Sequence, residues 1–250
     1  MKTSGNTILI TGGGTGIGLA LTEALLKAGN EIAICGRREG KLVEAKTKFP
    51  SIHYKVCDVS NSKERRSLVD WLMKDFNRLN VLVNNAGIQK QVDFGKGPAD
   101  LAGDEDELQI NLGAPVQLSA LLVPHLMKQS ESAIVNISSG LGFIPIASMP
   151  LYCAAKAALH SFSISLRHQL KGTTIKVFEI VPPTVDTELD RGSRAVRGVQ
   201  DRGIKPEEVA VGTLQALEKD LFEAPIGRAD FLRMGARTDP EKIFEQINSR

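Results

Sequence analysis

The chain has 250 residues, of which 42% are hydrophobic and 24% charged, so it has enough apolar side chains for a sizeable core. Its 31 basic and 29 acidic residues leave a formal net charge of +2, which argues against nucleic acid or an anionic membrane as a partner. Cys35, Cys57 and Cys153 lack the spacing of a zinc site or a disulfide framework. No apolar run approaches the roughly 20 residues of a membrane span, and no secretory signal precedes the first strand. We therefore expect a cytoplasmic protein without a metal site.

Short β-rich segments alternate with amphipathic helical segments along the chain. The first clear helices are predicted at Ile17–Ala28 and Ala154–Lys171. The predicted strands are Thr7–Thr11, Glu31–Cys35, His53–Cys57, Val81–Asn85, Ala133–Ser138 and Ile175–Val181. Because these strands are nearly continuous apolar runs, they indicate a parallel sheet that is buried on both faces. The sequence predicts one α/β domain over residues 1–250, a doubly wound, Rossmann-type parallel sheet with helices on both faces and ligands at the carboxyl ends of its strands.

A glycine-rich loop, TGGGTGIG at Thr11–Gly18, follows the first strand directly and leads into a helix. Glycines let the backbone approach a diphosphate, while the N–H groups and the dipole at a helix N-terminus favour negative charge. The loop lacks the G-x-G-x-x-G spacing and the Gly-Lys-Ser/Thr of a triphosphate loop, so a plain tight turn is the alternative. The candidate cofactor contacts in this loop are Gly12, Gly14, Thr15, Gly16, Ile17 and Gly18.

The end of the second strand, CGRRE, carries two arginines. Dinucleotide folds that prefer an unphosphorylated cofactor usually place an acidic residue here, on the ribose hydroxyls. A guanidinium suits a phosphate monoester, so Arg37, together with Arg38, is predicted to bind a ribose 2′-phosphate. NADP(H) is therefore favoured over NAD(H), which stays possible. The alternative is that both arginines are solvated surface residues.

Tyr152 and Lys156 stand four residues apart in YCAAK, so both side chains project from one face of a predicted helix. A phenol has a pKa of about 10 and is a poor acid or base at neutral pH, but a neighbouring ammonium lowers that pKa by favouring the phenolate. The pair is predicted to be a tuned proton donor. Taken alone, it could equally be a chance pairing on a helix surface.

These motifs, with NNAG at Asn84–Gly87, Asn111 and NISS ending at Ser139, resemble the short-chain dehydrogenase/reductase family in order and spacing. The resemblance runs from about Thr7 to Thr187. It implies an oxidoreductase that transfers a hydride between a nicotinamide cofactor and a small-molecule carbonyl or alcohol. Within the family, runs such as PHLMKQ and PPTVDTELD resemble the bacterial DltE-type oxidoreductases.

The resemblance also implies a catalytic set of Asn111, Ser139, Tyr152 and Lys156. Tyr152 would protonate the carbonyl oxygen, or deprotonate the alcohol in reverse, and Lys156 would bind the nicotinamide ribose and lower the tyrosine pKa. Ser139, rather than its neighbour Ser138, would donate a hydrogen bond to the substrate oxygen. Asn111 would hold a kinked helix and a water that relays protons to Lys156. This is acid–base catalysis with stabilisation of charge on oxygen, and it requires no metal.

Further cofactor contacts are implied after the third, fourth and sixth strands. Asp58 and Val59 would border the adenine, although Asp58 could instead only cap its strand end. Val185 and Thr187 match positions that contact the nicotinamide carboxamide. Pro183 stands where the family usually has glycine, and it removes an N–H and fixes φ, so we expect altered contacts there. The remaining contacts, on the adenosine side, are Asn85, Ala86 and Gly87.

Two segments depart from an ordinary pattern. The segment Pro182–Lys205 is rich in Gly, Arg and Pro, and its residues 186–205 are predicted to form a substrate lid. Its arginines could select an acidic substrate or form a solvated face; they are Arg191, Arg194, Arg197 and Arg202. The usual family ending, a last strand followed by Asp-Gly-Gly, is absent. We therefore expect a homo-oligomer that is a dimer rather than a tetramer, formed through helices around Leu108–Lys128 and Ala154–Lys171.

Two functions compete with catalytic hydride transfer. One is a dinucleotide-sensing regulator without useful turnover, which the intact Tyr, Lys, Ser and Asn set argues against. The other is an epimerase or dehydratase on the same fold. The histidines His125, His160 and His168 are predicted to pack rather than to react, with His160 pointing away from Tyr152.

Overall fold

The computed structural model describes residues 1–101, 105–189 and 202–249. Within these ranges seven parallel strands form one sheet in the order β3-β2-β1-β4-β5-β6-β7. The strands are β1 (Thr7–Thr11), β2 (Glu31–Gly36), β3 (His53–Val56), β4 (Leu79–Asn84), β5 (Ser132–Ile137), β6 (Ile175–Val181) and β7 (Glu223–Pro225). The predicted doubly wound parallel sheet is confirmed.

Helices connect the strands and cover both faces of the sheet. They are α1 (Gly16–Lys27), α2 (Glu39–Lys48), α3 (Ser62–Asp75), α4 (Ala114–Leu126), α5 (Pro150–Gln169), α6 (Pro206–Glu218), α7 (Ala229–Thr238) and α8 (Pro240–Asn248). A π-helical turn, Gln109–Gly113, leads into α4, and a 3₁₀ turn, Gly140–Gly142, follows β5. In the described part of the chain, no helix has the length and apolar character to cross a bilayer.

Helix α5 begins four residues before its predicted start at Ala154. Pro150 occupies its first turn, where the fixed φ of proline suits a helix and its missing N–H costs no hydrogen bond. The earlier start puts Tyr152 inside the first turn of the helix.

The absence of a last strand was a wrong expectation. β7 pairs with the end of β6, where Glu179 lies opposite Glu223 and Val181 opposite Pro225. Three residues are too few to show a period of two, and a terminal proline is tolerated because β7 is an edge strand.

Alternate residues of the strands pack into two apolar layers. Ile8 and Ile10 of β1 face the layer that contains α1 and α6, whereas Leu9 faces the layer of α3, α4 and α5. Burial on both faces explains the continuous apolar runs of the sequence. The order of the strands reverses beside β1, since β2 and β4 flank it, and this reversal opens a crevice at the carboxyl ends of the strands.

Candidate active site

A cleft of about 880 Å³ lies at this edge of the sheet. The predicted cofactor and catalytic residues all line it, with the exception of Asn111. Segments far apart in sequence contribute, from the glycine loop after β1 to residues 182–187 after β6. The fold therefore brings together the residues that the motifs singled out.

The glycine loop brings the backbone of β1 and the start of α1 close together. Gly12 has a φ of +66°, in the left-handed region that favours glycine. A Cβ on Gly18 would overlap the carbonyl of Gly12 and come within 2.6 Å of the Asn85 amide nitrogen. Thr15, the N-cap of α1, makes no side-chain capping bond, so the first N–H groups of the helix are not capped by it. This geometry fits a diphosphate on the helix N-terminus.

Hydrogen bonds join the end of β4 to the end of β1. Thr11 Oγ1 accepts the backbone N–H groups of Asn85 and Ala86, each at 3.0 Å. In return, Asn85 Nδ2 donates to the Thr11 carbonyl at 2.9 Å. The NNAG segment is thereby fixed beside the glycine loop, where it lines the cleft.

The two arginines after β2 line the cleft, and both contact carboxylates. Arg38 Nη1 lies 2.9 Å from Glu188 Oε2, and its Nη2 donates to Thr15 Oγ1 at 3.2 Å. Arg37 Nη1 lies 2.5 Å from Glu105 Oε1. Sequence reasoning missed Glu105 and Glu188, which would compete with a phosphate for the guanidinium groups.

Tyr152 and Lys156 are both buried, with 7% and 4% of their surface exposed. The Lys156 ammonium lies 5.7 Å from the centroid of the Tyr152 ring and donates to the Ile137 carbonyl at 2.8 Å. Burial lowers the pKa of Lys156 to about 8, while the nearby carboxylates of Glu179 and Glu107 oppose this shift. The ammonium therefore loses its proton more readily than that of an exposed lysine.

Two serines follow β5, and their surroundings differ. Ser138 Oγ donates to the Ile180 carbonyl at 3.3 Å, within the sheet. Ser139 Oγ accepts the N–H of Leu141 at 3.1 Å, at the start of the 3₁₀ turn. Because Ser139 accepts in this bond, its hydroxyl proton is left for another acceptor.

Asn111 lies behind the cleft, fully buried in the π-helical turn. Its Oδ1 accepts the Ile88 N–H at 2.9 Å, and its Nδ2 donates to the Ile88 carbonyl at 2.8 Å. The turn corresponds to the irregular helix that the family resemblance implies. Through these bonds Asn111 holds the segment after β4, whereas its part in a proton relay stays a prediction.

The outer cofactor positions have local partners. Asp58 Oδ1 accepts both the N–H and the hydroxyl of Ser60, at 2.8 and 2.7 Å, as its capping alternative requires. Val185, which directly precedes the predicted lid, forms a parallel bridge with Ile204 near the end of that lid. Most of that lid, including Arg191, Arg194 and Arg197, lies outside the described residues.

His160 does more than pack. It stacks on Phe143 with ring centroids 4.6 Å apart, and its Nδ1 lies 2.7 Å from Glu179 Oε2. This hydrogen bond raises the pKa of His160, although burial opposes the shift. Glu179 is completely buried, and its Oε1 has no hydrogen-bond partner among the described residues. His160 is one turn beyond Lys156 on α5, so the i, i+4 spacing itself was the missed signal.

One end of the cleft is apolar and was not predicted. Its wall includes Phe231 and Leu232 of α7 and Ile247 of α8, which belong to the segment where the family resemblance ends. No motif marks these residues, because apolar side chains on a helix read equally as core.

The chain matches the short chain dehydrogenase family over residues 6–197. It belongs to the short-chain dehydrogenase family. This member is 52% identical over 250 residues to the uncharacterized oxidoreductase DltE of Bacillus subtilis, covering 100% of this chain and 99% of that protein. It is also 30% identical over 222 residues to the NADP-dependent 3-hydroxy acid dehydrogenase YdfG of Escherichia coli, covering 87% and 86% of the two chains. The predicted resemblance, including that to DltE-type oxidoreductases, is confirmed, and the protein is an enzyme of this family.

Solved structures of the family have the same fold. A short chain dehydrogenase/reductase from Burkholderia phymatum, in complex with NAD, superposes with a TM-score of 0.86 at 23% identity, covering 98% of this chain and 96% of that one. The closed form of a serine dehydrogenase complexed with NADP⁺ gives a TM-score of 0.75 at 27% identity, with coverages of 84% and 88%.

Proposed function

We propose that this short-chain dehydrogenase is an NADP(H)-dependent carbonyl reductase or alcohol dehydrogenase that acts through Asn111, Ser139, Tyr152 and Lys156. One observation carries the proposal: a buried Tyr–Lys pair on one turn of α5 shares a cleft with a glycine loop at a helix N-terminus. The nicotinamide cofactor supplies the hydride chemistry when it is bound.

The side chains supply proton transfer and charge stabilisation. The Tyr152 hydroxyl gives its proton to the carbonyl oxygen, or takes one from the alcohol in reverse. The positive charge of the Lys156 ammonium, held on the Ile137 carbonyl, stabilises the phenolate form of Tyr152. The Ser139 hydroxyl donates a hydrogen bond to the same substrate oxygen and keeps its proton, so that it stabilises the charge developing there. Asn111 holds the wall of the site through Ile88.

The cofactor site follows from the shape of the cleft. Gly12 and Gly18 approach each other so closely that no Cβ fits between them, which keeps the loop backbone beside the N-terminus of α1, where a diphosphate would bind. Asp58 and Val59 would face the adenine, Asn85–Gly87 the adenosine, and Val185 and Thr187 the carboxamide. Each of these residues lines the cleft. A second proline at Pro183, which also lines it, would change the local carboxamide contacts.

Arg37 and Arg38 favour NADP(H), because no carboxylate occupies the end of β2 to bind a ribose hydroxyl. The NADP-dependent YdfG and the NADP⁺-bound serine dehydrogenase support this choice. The NAD complex of the Burkholderia phymatum protein keeps NAD(H) as the alternative. The homodimer, the cytoplasmic location and the single domain over residues 1–250 stay predictions.

The test is Tyr152→Phe, assayed with NADPH over a panel of aldehydes and ketones. We expect turnover to fall by about 10²- to 10⁴-fold, since the proton donor is lost, while the Kd for NADPH changes less than about twofold. Tyr54→Phe is the matched control, because Tyr54 is the other of the two tyrosines and lies on β3 outside the cleft lining. Undiminished turnover by Tyr152→Phe would refute the proton-transfer role. A wild-type protein that binds NADPH but reduces nothing would favour the regulator, and isomerised or dehydrated product would favour the epimerase or dehydratase.

A further inference from the structure

Beyond Tyr152 the cleft ends in a group of apolar side chains, here called the apolar chamber. Half of them come from the connection between β5 and α5, and half from the C-terminal helices α7 and α8. They are Leu141, Ile146, Met149, Phe231, Leu232 and Ile247.

Helix α7 packs directly on the turn that begins at the proposed catalytic serine. A Cβ on Gly140 would come within 2.9 Å of Leu232 Cδ1 and 3.5 Å of Ala229. Gly140 follows Ser139 in the chain, and both Ser139 and Leu232 line the cleft, so this wall adjoins the turn that carries the proposed catalytic serine. The chamber is thus an extension of the reacting site.

Helix α8 is held against the connection between β5 and α5, which also lines the chamber. The Ala147 N–H donates to Asn248 Oδ1 at 2.6 Å, and Asn248 Nδ2 donates to the Pro145 carbonyl at 3.3 Å. These bonds bracket Ile146, which lines the chamber. Gly235 of α7 packs tightly on Ile243 of α8, since a Cβ there would come within 2.7 Å of Ile243. The wall is therefore a packed structure.

The floor of the chamber continues into the apolar core of the site. Met149 is 1% exposed and packs with Tyr152 and Cys153, against which Leu141 and Ile146 also pack. The other end of the cleft has the opposite character, because Arg37 and Arg38 line it together with acidic side chains. The polarity of the lining thus divides the cleft into two parts.

We infer that the apolar chamber binds the hydrocarbon part of the substrate, so that the enzyme acts on carbonyl compounds with a medium-length alkyl or aryl group rather than on short anionic 2-oxo acids. The inference rests on the proposed function for the position of the reacting carbonyl, and it names the substrate class. Apolar surface gains free energy on burial in such a chamber, whereas a carboxylate loses its hydration there. Arg228, which precedes α7, also lines the cleft and could bind an anion. Ligands with a carboxylate at the far end of their alkyl chain are therefore tested separately.

The first experiment measures binding without turnover. Straight-chain carboxamides from acetamide to octanamide, which carry an unreactive carbonyl, are titrated calorimetrically into the protein saturated with NADPH. We expect the Kd to fall about fourfold for each added methylene until the chamber is full. Monoamides of dicarboxylic acids of equal length should bind more weakly. A Kd that is independent of chain length, or tighter binding of the anionic series, would overturn the inference.

Two phenylalanines provide a matched pair of variants. Phe231 on α7 and Phe244 on α8 are both exposed, at 50% and 39%. Phe231 lines the cleft, whereas Phe244 does not. Phe231→Ala should weaken octanamide about tenfold and leave acetamide unchanged, while Phe244→Ala should alter neither. Equal losses in the two variants would contradict the assigned wall. Because both rings are exposed, neither substitution should prevent folding.

A parallel assay of straight-chain aldehydes with NADPH separates this inference from the proposed function. Amides that bind with the expected length dependence, without any aldehyde reduction, would support the chamber and refute the reductase. Reduced aldehydes with length-independent amide binding would do the reverse. If NADPH does not bind, the amides are titrated into the free protein, where the length dependence decides the inference in the same way.

Discussion

The two ends of the cleft differ in what their structure requires of the sequence. At the cofactor end, main-chain atoms approach each other so closely that Gly18 admits no side chain. At the apolar end, the wall consists of side chains such as Leu232 and Ile247 on amphipathic helices. Many apolar side chains of similar volume could form that second wall.

This difference decides which end a motif can reveal. Where two backbone segments must approach each other closely, only glycine fits. The cofactor end can therefore be recognised in the sequence from the positions of particular residues. A hydrophobic wall depends on the combined volume and shape of several side chains, which no single residue type in the sequence specifies. The experiments below test this contrast at the cofactor end and then between the two ends.

The largest effect is expected for Gly18→Ala. Its Cβ would meet the backbone carbonyl of Gly12, which cannot rotate away as a side chain could. We expect overpacking to lower the free energy of unfolding by about 3 kcal/mol and to displace the loop, with loss of NADPH binding. Urea denaturation and NADPH titration measure the two effects.

Gly40→Ala is the control, because a Cβ there would meet nothing within 4 Å and Gly40 lies in helix α2. Alanine is favoured over glycine in a helix, so this variant should be more stable by up to about 1 kcal/mol. Unchanged stability and affinity in Gly18→Ala would show that the close approach at the cofactor end does not constrain the sequence.

Most of the fold followed from periodicity and composition. β1 and β6 occupy the predicted residues, since each is a nearly continuous run of apolar and β-branched residues. β7 was missed because its pairing depends on the position of the end of β6 in the folded chain, which no local sequence pattern shows. The start of α5 was predicted too late, at Ala154. Proline breaks a helix in its interior but is favourable in the first turn, which is where Pro150 lies.

The candidate site was predictable where one residue type has one role. The glycines, Tyr152 and Lys156 all line the cleft as expected. Glu105 and Glu188, which pair with the two arginines, come from loops whose position no local pattern specifies. The buried Glu179 was hidden inside a strand that otherwise reads as core.

An intermediate effect is expected for the arginines after β2. Arg37→Ala and Arg38→Ala should each weaken NADPH binding by about 1.5–3 kcal/mol, the range of a hydrogen bond to a charged group, and leave NADH binding unchanged. Calorimetric titration of both cofactors at one ionic strength measures the difference, which salt would otherwise screen. Glu105→Gln sharpens the test, because removal of the competing carboxylate should strengthen NADPH binding.

Arg66→Ala is the control for these variants, since Arg66 lies on α3 and does not line the cleft. Equal losses of NADPH and NADH affinity in the Arg37 and Arg38 variants would mean that both arginines contact a part common to the two cofactors. The cofactor end would then specify a dinucleotide without specifying its phosphate.

The smallest effect concerns His160, which does not line the cleft. The hydrogen bond to Glu179 raises its pKa above the ordinary 6.5, with Glu223 adding to the shift while burial and Arg167 oppose it. A raised folded-state pKa means that the protonated histidine stabilises the fold fully below the unfolded pKa, and that this contribution is lost as the pH rises through the folded pKa. His160→Gln keeps a neutral donor for Glu179 but cannot take up a proton.

We therefore expect wild type to exceed His160→Gln in free energy of unfolding by about 1 kcal/mol more at acidic than at alkaline pH, since a charged hydrogen bond exceeds a neutral one by that order. Urea denaturation on both sides of the ordinary histidine pKa measures the difference. His168→Gln, at an exposed position of α5, is the control substitution. Parallel pH profiles for wild type and His160→Gln would mean that Glu179 does not hold a proton on His160. In that case Glu179 would still oppose the lowering of the Lys156 pKa, but its charge would not be shared with a protonated histidine.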